Sequence, residues 1–130
     1  MRKLLLFLLF FCLFLYHESN SQTKVRVKFP KGKYATTVTG TIRGYEYIDY
    51  VVRARKGQRM VVQLILLNRN YSTNFSVFDT DGLALTADTD YYDEILPATG
   101  DYVIRVLMSR SEARRKGSIS RFRIRIGITD

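Results

Sequence analysis

Apolar and polar side chains alternate with a period of two along most of this chain, which predicts β-strands joined by tight turns rather than helices. Val25, Val27 and Phe29 alternate with Lys24, Arg26 and Lys28. Ile48, Tyr50, Val52 and Ala54 alternate with Asp49, Val51, Arg53 and Arg55 until Lys56-Gly57 turns the chain. Met60 to Leu67 is nearly continuous in apolar residues and reads as a strand buried on both faces. Asn68-Arg69-Asn70 and Asp81-Gly82 supply turn chemistry on either side of a strand over Asn74 to Thr80. Pro97 to Asp101 makes the next break, and Tyr102 to Met108 is a further strand. At the C-terminal end Phe122, Ile124, Ile126 and Ile128 point one way while Arg121, Arg123 and Arg125 point the other. Seven to nine short strands at this spacing predict an all-β fold, a small antiparallel β-sandwich or compact barrel.

One segment departs from this pattern. Ser109 to Gly117 opens with Ser-x-x-Glu, the capping-box spacing, and ends on a glycine suited to close a short helical segment near 109–117. A helical turn there sets Arg110 and Arg114 at i and i+4, on one face. Two guanidinium groups so placed repel each other unless an anion sits between them.

The N-terminus follows a different grammar. Met1-Arg2-Lys3 carries positive charge, and Leu4 to Tyr16 then run without a charged side chain. This is the order of a secretory signal peptide, and its apolar run is shorter than the roughly 20 residues a spanning helix needs. Ser19 and Ser21 stand at small-x-small spacing, so residues 1–21 are expected to be removed by cleavage before Gln22. Residues 22–130 then form a single domain. Cys12 lies within the apolar run without the small residues that precede a lipid-modified cysteine, so the mature chain has no thiol and needs no disulfide. No later apolar run is long enough to span a membrane.

Charge narrows the partners. Without Arg2, Lys3 and Glu18, the 21 basic and 12 acidic residues become 19 and 11, a net charge of +8. Such an excess favours an acidic protein surface or an anionic envelope component, and export argues against nucleic acid. Catalysis has little to work with. The one histidine, His17, leaves with the signal peptide, and neither a cysteine nucleophile nor a cofactor motif is present. Asp79, Asp81, Asp88, Asp90, Asp93 and Glu94 cluster in the middle of the chain, and a carboxylate-dependent hydrolase built on them is the weakest reading. Asp79-Thr80-Asp81-Gly82 looks like the start of a calcium loop, but the later ligand spacing fails and turn residues explain it, so no metal is expected. The arginines at 121, 123 and 125 read as the solvated face of an amphipathic strand.

Three blocks carry a family resemblance: Phe29 to Gly32; Gly40 to Tyr47 with Ala54 to Gln58; and Pro97 to Tyr102 continuing through Arg105-Val106-Leu107 to Arg110–Arg115. In order and spacing they resemble the periplasmic inhibitors of g-type (goose-type) lysozyme, while residues 68–94 carry no matching block. The resemblance implies an exported, periplasmic protein whose partner is a g-type lysozyme, with no enzymatic activity of its own. In that family the tyrosine of the Gly-Tyr block and the two arginines of the Arg-x-x-x-Ala-Arg segment engage the lysozyme cleft, which places those roles on Tyr45, Arg110 and Arg114. The middle blocks are also similar to secreted β-sandwich modules of the bacterial pre-peptidase C-terminal type. That alternative implies binding to envelope polysaccharide or to another secreted protein.

Overall fold

The computed structural model describes residues 22–69 and 72–130. The expected signal peptide lies outside them. Among the described residues nine strands and one short helix follow in order: β1 (Gln22–Arg26), β2 (Ala35–Arg43), β3 (Tyr47–Ala54), β4 (Arg59–Leu66), β5 (Thr73–Phe78), β6 (Ala84–Thr89), β7 (Tyr91–Ile95), β8 (Gly100–Met108), α1 (Arg110–Ala113) and β9 (Ile119–Thr129). They form two open sheets, one ordered β1-β3-β8-β5-β6 and the other β2-β9-β4-β7. The fold is therefore a sandwich and not a closed barrel.

Period-two alternation places the core. Ile48, Tyr50, Val52 and Ala54 of β3 and Tyr102, Ile104, Val106 and Met108 of β8 face Phe122, Ile124, Ile126 and Ile128 of β9 across the sandwich. Tyr50 meets Phe122 edge to face, with ring centroids 6.4 Å apart. Gly40 of β2 makes this packing feasible, since a Cβ there would lie 2.5 Å from Phe122 Cζ and 2.7 Å from the Tyr50 hydroxyl oxygen. Burial pushes the Tyr50 phenol up to about 12.

Two expectations need correction. Strand β4 is buried on one face only: Met60, Val62 and Leu64 point inward, while Gln63 and Ile65 are exposed. Val61 and Ile65 are apolar residues spent on the outer face, which is what made the run look doubly buried. The sandwich is also not wholly antiparallel, because β1 pairs parallel with β3, from Gln22↔Tyr47 to Arg26↔Val51. The chain leaves β1, crosses to the other sheet as β2 and returns in β3, so the two strands run the same way, as parallel neighbours joined by a crossover must.

Turn chemistry ties the strand ends. The Tyr102 hydroxyl donates to the Ala98 carbonyl at 2.6 Å and accepts from the Ala98 amide at 3.1 Å, so a buried ring pins the Pro97–Gly100 bend from within. On the outer face of the first sheet, Asp49 is 3% exposed and receives a bidentate pair from Arg105 at 2.8 and 3.0 Å, with a third bond from Gln22 Nε2 at 2.9 Å. Arg105 lies over the Tyr47 ring, 4.5 Å from its centroid, and its hydrogen bonds to Asp49 raise its pKa further.

Candidate inhibitory edge

At one end of the sandwich two connections meet. The β2–β3 turn is closed by reciprocal bonds: the Glu46 amide donates to the Arg43 carbonyl at 3.0 Å, and the Arg43 amide donates to Glu46 Oε2 at 3.2 Å. Gly44 sits inside it with φ +56°, a conformation that side chains with a Cβ rarely adopt. The following residue, Tyr45, is 60% exposed. The turn geometry thus favours the glycine at 44 and leaves the tyrosine after it exposed to solvent.

The second connection is α1 with the loop to β9. Its helical turn forms through Ala113 N–H to the Ser109 carbonyl at 2.8 Å and Arg114 N–H to the Arg110 carbonyl at 3.2 Å. Ala113 is the buried residue of α1, and its small side chain seats the turn on the core. Gly117, with φ +77°, then reverses the chain into β9. The capping box does not form: Ser109 makes no side-chain cap, its hydroxyl lies 3.3 Å from that of Ser111, and Glu112 pairs forward with Arg115 at 3.2 Å. Backbone bonding in the Ser109–Ser118 loop holds the segment instead, with Ser118 N–H donating to the Arg115 carbonyl and the Ser118 hydroxyl to the Ala113 carbonyl, at 3.1 and 3.3 Å.

The two connections are joined. Gly44 N–H donates to the Ser118 carbonyl at 3.2 Å, and a Cβ on Gly44 would lie 3.5 Å from the Ala113 carbonyl oxygen. The last pair of the β2–β9 ladder, Arg43↔Ile119, continues this contact into the second sheet. All three residues singled out from sequence therefore lie on one edge: Tyr45 on the turn, Arg110 opening α1 and Arg114 closing it. Arg110 and Arg114 are exposed, and neither has a side-chain hydrogen bond or carboxylate partner among the described residues. Their neighbour Arg115 is neutralised by Glu112. A shallow hollow of about 350 Å³ runs between the connections, lined by Arg43, Gly44, Arg115, Gly117, Ser118 and Ile119.

Sequence reasoning did not single out Arg43 or Ser118, and gave Glu112 only the role of a capping residue. Arg43 adds a cation to the rim, directly before the glycine of the turn. Glu112 selects which arginine of the segment is already neutralised, and Ser118 welds the turn to the helix. Their signal was present only as adjacency to the Gly-Tyr and Arg-x-x-x-Ala-Arg blocks. Chemically, the edge offers fixed donors, positive charge and one rigid ring, and no group of three or more His, Cys, Asp or Glu is placed to hold a metal among the described residues.

No family model matches the chain. The inhibitor of g-type lysozyme from Escherichia coli (strain K12) is 34% identical over 96 residues, spanning 70% of this chain and 71% of that protein. The chain belongs to the family of g-type lysozyme inhibitors. Solved structures of the family agree in fold. The periplasmic inhibitor PliG of Aeromonas hydrophila superposes with a TM-score of 0.74 at 29% identity, covering 83% of this chain and 97% of that one. PliG of Salmonella Typhimurium gives 0.65 at 31% identity, covering 82% and 98%. The pre-peptidase C-terminal domain of a Bacillus anthracis collagenase shares the sandwich alone, with a TM-score of 0.51 at 9% identity over 83% of this chain and 94% of that domain.

Proposed function

We propose that this chain is an exported, periplasmic inhibitor of g-type lysozyme that acts by filling the muramidase cleft with the edge bearing Tyr45, Arg110 and Arg114, and that it performs no reaction itself. The observation that carries the reading is an exposed tyrosine and two arginines without a carboxylate partner among the described residues, on two connections joined by a backbone hydrogen bond, in a chain whose family inhibits this class of enzyme. A glycosidase cleft holds carboxylates around the scissile bond and so concentrates negative potential. A guanidinium that enters it pairs in a bidentate, charge-assisted fashion away from bulk water, which is about twice as strong as a neutral hydrogen bond. Because Arg110 and Arg114 hold no carboxylate partner among the described residues, binding breaks no ion pair described there. Tyr45 supplies area at little entropic cost, and the net positive charge speeds the encounter.

Export by removal of residues 1–21 is part of the proposal. Gln22, which this cleavage would leave at the new N-terminus, pairs from β1 with Tyr47 of β3 and donates its side-chain amide to Asp49, which supports a domain that includes it.

The test is a lysis assay on a peptidoglycan suspension at near-physiological salt, with the purified protein titrated against a g-type lysozyme and a c-type enzyme in parallel. The expected result is loss of g-type activity near equimolar protein while c-type activity persists. Full g-type activity in the presence of excess protein would contradict the proposal.

A further inference from the structure

The arginines of this protein divide into two populations. Arg26, Arg53, Arg55, Arg59, Arg105 and Arg115 each face a carboxylate within ion-pair distance. Among the described residues Arg121, Arg123 and Arg125 face none, although all three are exposed and project from one face of β9. Their ladder neighbours supply no acid: Thr41, Thr39 and Thr37 stand opposite them on β2, and Ile65 and Gln63 stand opposite Arg123 and Arg125 on β4. The nearest carboxylate strand is β7, where Asp93 is already held by Arg59.

A solvated strand face explains exposure but not this composition. β9 lies between β2 and β4, so it has no free edge to protect by charge. Alternate residues of a strand stand about 7 Å apart, inside the roughly 10 Å screening length at 0.1 M salt, so the column repels itself and gains from a bound anion. The next outward position is Gly127, where the missing side chain leaves a hollow of about 280 Å³ bounded by Tyr34, Ala35, Val61 and Arg125 among others. Tyr34 is 69% exposed there. Strain does not require this glycine, since a Cβ would meet its nearest neighbours at an ordinary 3.6 Å.

We propose that the outer face of the β2-β9-β4-β7 sheet is a second binding site, a track for a linear acidic polysaccharide. Guanidinium groups at a regular interval pair with carboxylate or sulfate groups of the polymer, the threonine hydroxyls and Gln63 exchange hydrogen bonds with its sugar hydroxyls, and one ring seats in the hollow against Tyr34. Duplex nucleic acid and an anionic bilayer present charge as well, but neither calls for a column one residue wide that ends in a ring-sized hollow beside a tyrosine. The track runs along the sandwich away from the edge that carries Tyr45, so it does not rest on the lysozyme reading.

The experiment measures binding of the purified protein to polygalacturonate and heparin, with neutral dextran and phosphatidylglycerol vesicles as comparators. The variant Arg121→Gln, Arg123→Gln, Arg125→Gln is set against a charge-matched control, Arg53→Gln, Arg55→Gln, Lys56→Gln. The β9 variant is expected to bind the acidic polymers about tenfold or more weakly and the control less than about threefold, because local geometry and not net charge holds the chain. Gly127→Thr, which fills the hollow without removing charge, weakens binding as well. Gly127→Thr leaves lysozyme inhibition unchanged, the β9 variant inhibits as well as its charge-matched control, and both keep the parent's melting temperature. Should the triple variant melt early, Arg123→Gln alone gives the same ordering. Absence of polymer binding, equal loss in the two triple variants, or binding to vesicles alone would overturn the assignment.

Discussion

The outer faces of the two sheets treat arginine differently: on the first Arg26, Arg53 and Arg105 all face a carboxylate, while on the second Arg59 pairs with Asp93 and, among the described residues, the three arginines of β9 pair with none. On the first sheet Arg105 is locked to Asp49 and shelved on Tyr47, and Arg26 makes a bidentate pair with Asp101 across β1 and β8. At the α1 edge and along β9, Arg110, Arg114, Arg121, Arg123 and Arg125 make no such pair among the described residues. Residue type alone does not distinguish these groups. An arginine satisfied inside the fold stabilises the fold, and one left unsatisfied holds its interaction energy in reserve for a partner. On the proposed reading, net charge is a poor guide to where this protein binds, because the cations that matter are those without a carboxylate neighbour.

The largest effect that separates the two regions falls on Arg105. Its truncation leaves Asp49 buried with one remaining amide bond, and urea unfolding should show a loss of about 3 kcal/mol, the lower end of the range for a broken buried pair because the guanidinium reaches solvent. Inhibition per folded molecule stays intact. A loss no larger than that of an exposed pair would mean that Asp49 finds another partner.

Next in size is the alkaline limb of stability. The Tyr50 phenol titrates at about 12 in the fold, against about 10 in an unfolded chain. Between these values the unfolded state releases a proton that the folded state keeps, so stability is full below pH 10 and falls by roughly 2 to 3 kcal/mol as pH rises toward 12. Tyr50→Phe should flatten this limb in denaturant titrations taken at several pH values, leaving whatever slope other tyrosines impose.

The smallest effect concerns Arg26. Its hydrogen bonds hold the Asp101 carboxyl below the usual carboxylate range. The stabilisation is present above that ordinary range and fades as pH falls through the lowered value. Because the pair is exposed, Arg26→Ala should shift the melting temperature far less than Arg105→Ala, and the shift should vanish in acid.

Much of the sandwich was legible because its central strands obey strict alternation. In β9, each inward position is a large apolar residue and each of Arg121, Arg123 and Arg125 points out. In β3 and β8 the same rule holds for the inward set. The strands that escaped definition are β2, β6 and β7, which sit at sheet edges with few buried residues, the last two carrying acids such as Asp88 and Asp93. Half-buried edge strands lack the apolar contrast on which periodicity depends. The parallel pairing of β1 was equally invisible, since alternation reports a strand but not its neighbour.

At the site, the resemblance of short blocks pointed to Tyr45, Arg110 and Arg114, and the fold brings their two segments together through Gly44 and Ser118. Partnering was not legible. Ser109 and Glu112 carry a capping-box spacing, yet Glu112 turns to Arg115, while Arg110 and Arg114 have no carboxylate partner among the described residues. Only three-dimensional neighbours show which arginine of a basic segment is spoken for.

The most direct measurement of the central claim is the inhibition constant of Arg110→Ala and Arg114→Ala against a g-type lysozyme, with melting temperatures taken on the same preparations and Arg26→Ala as the paired-arginine control. Each of the two edge variants should lose about 2 kcal/mol or more of binding, roughly thirtyfold, with an unchanged melt, while the control inhibits like the parent. Undiminished inhibition by both edge variants would contradict the account.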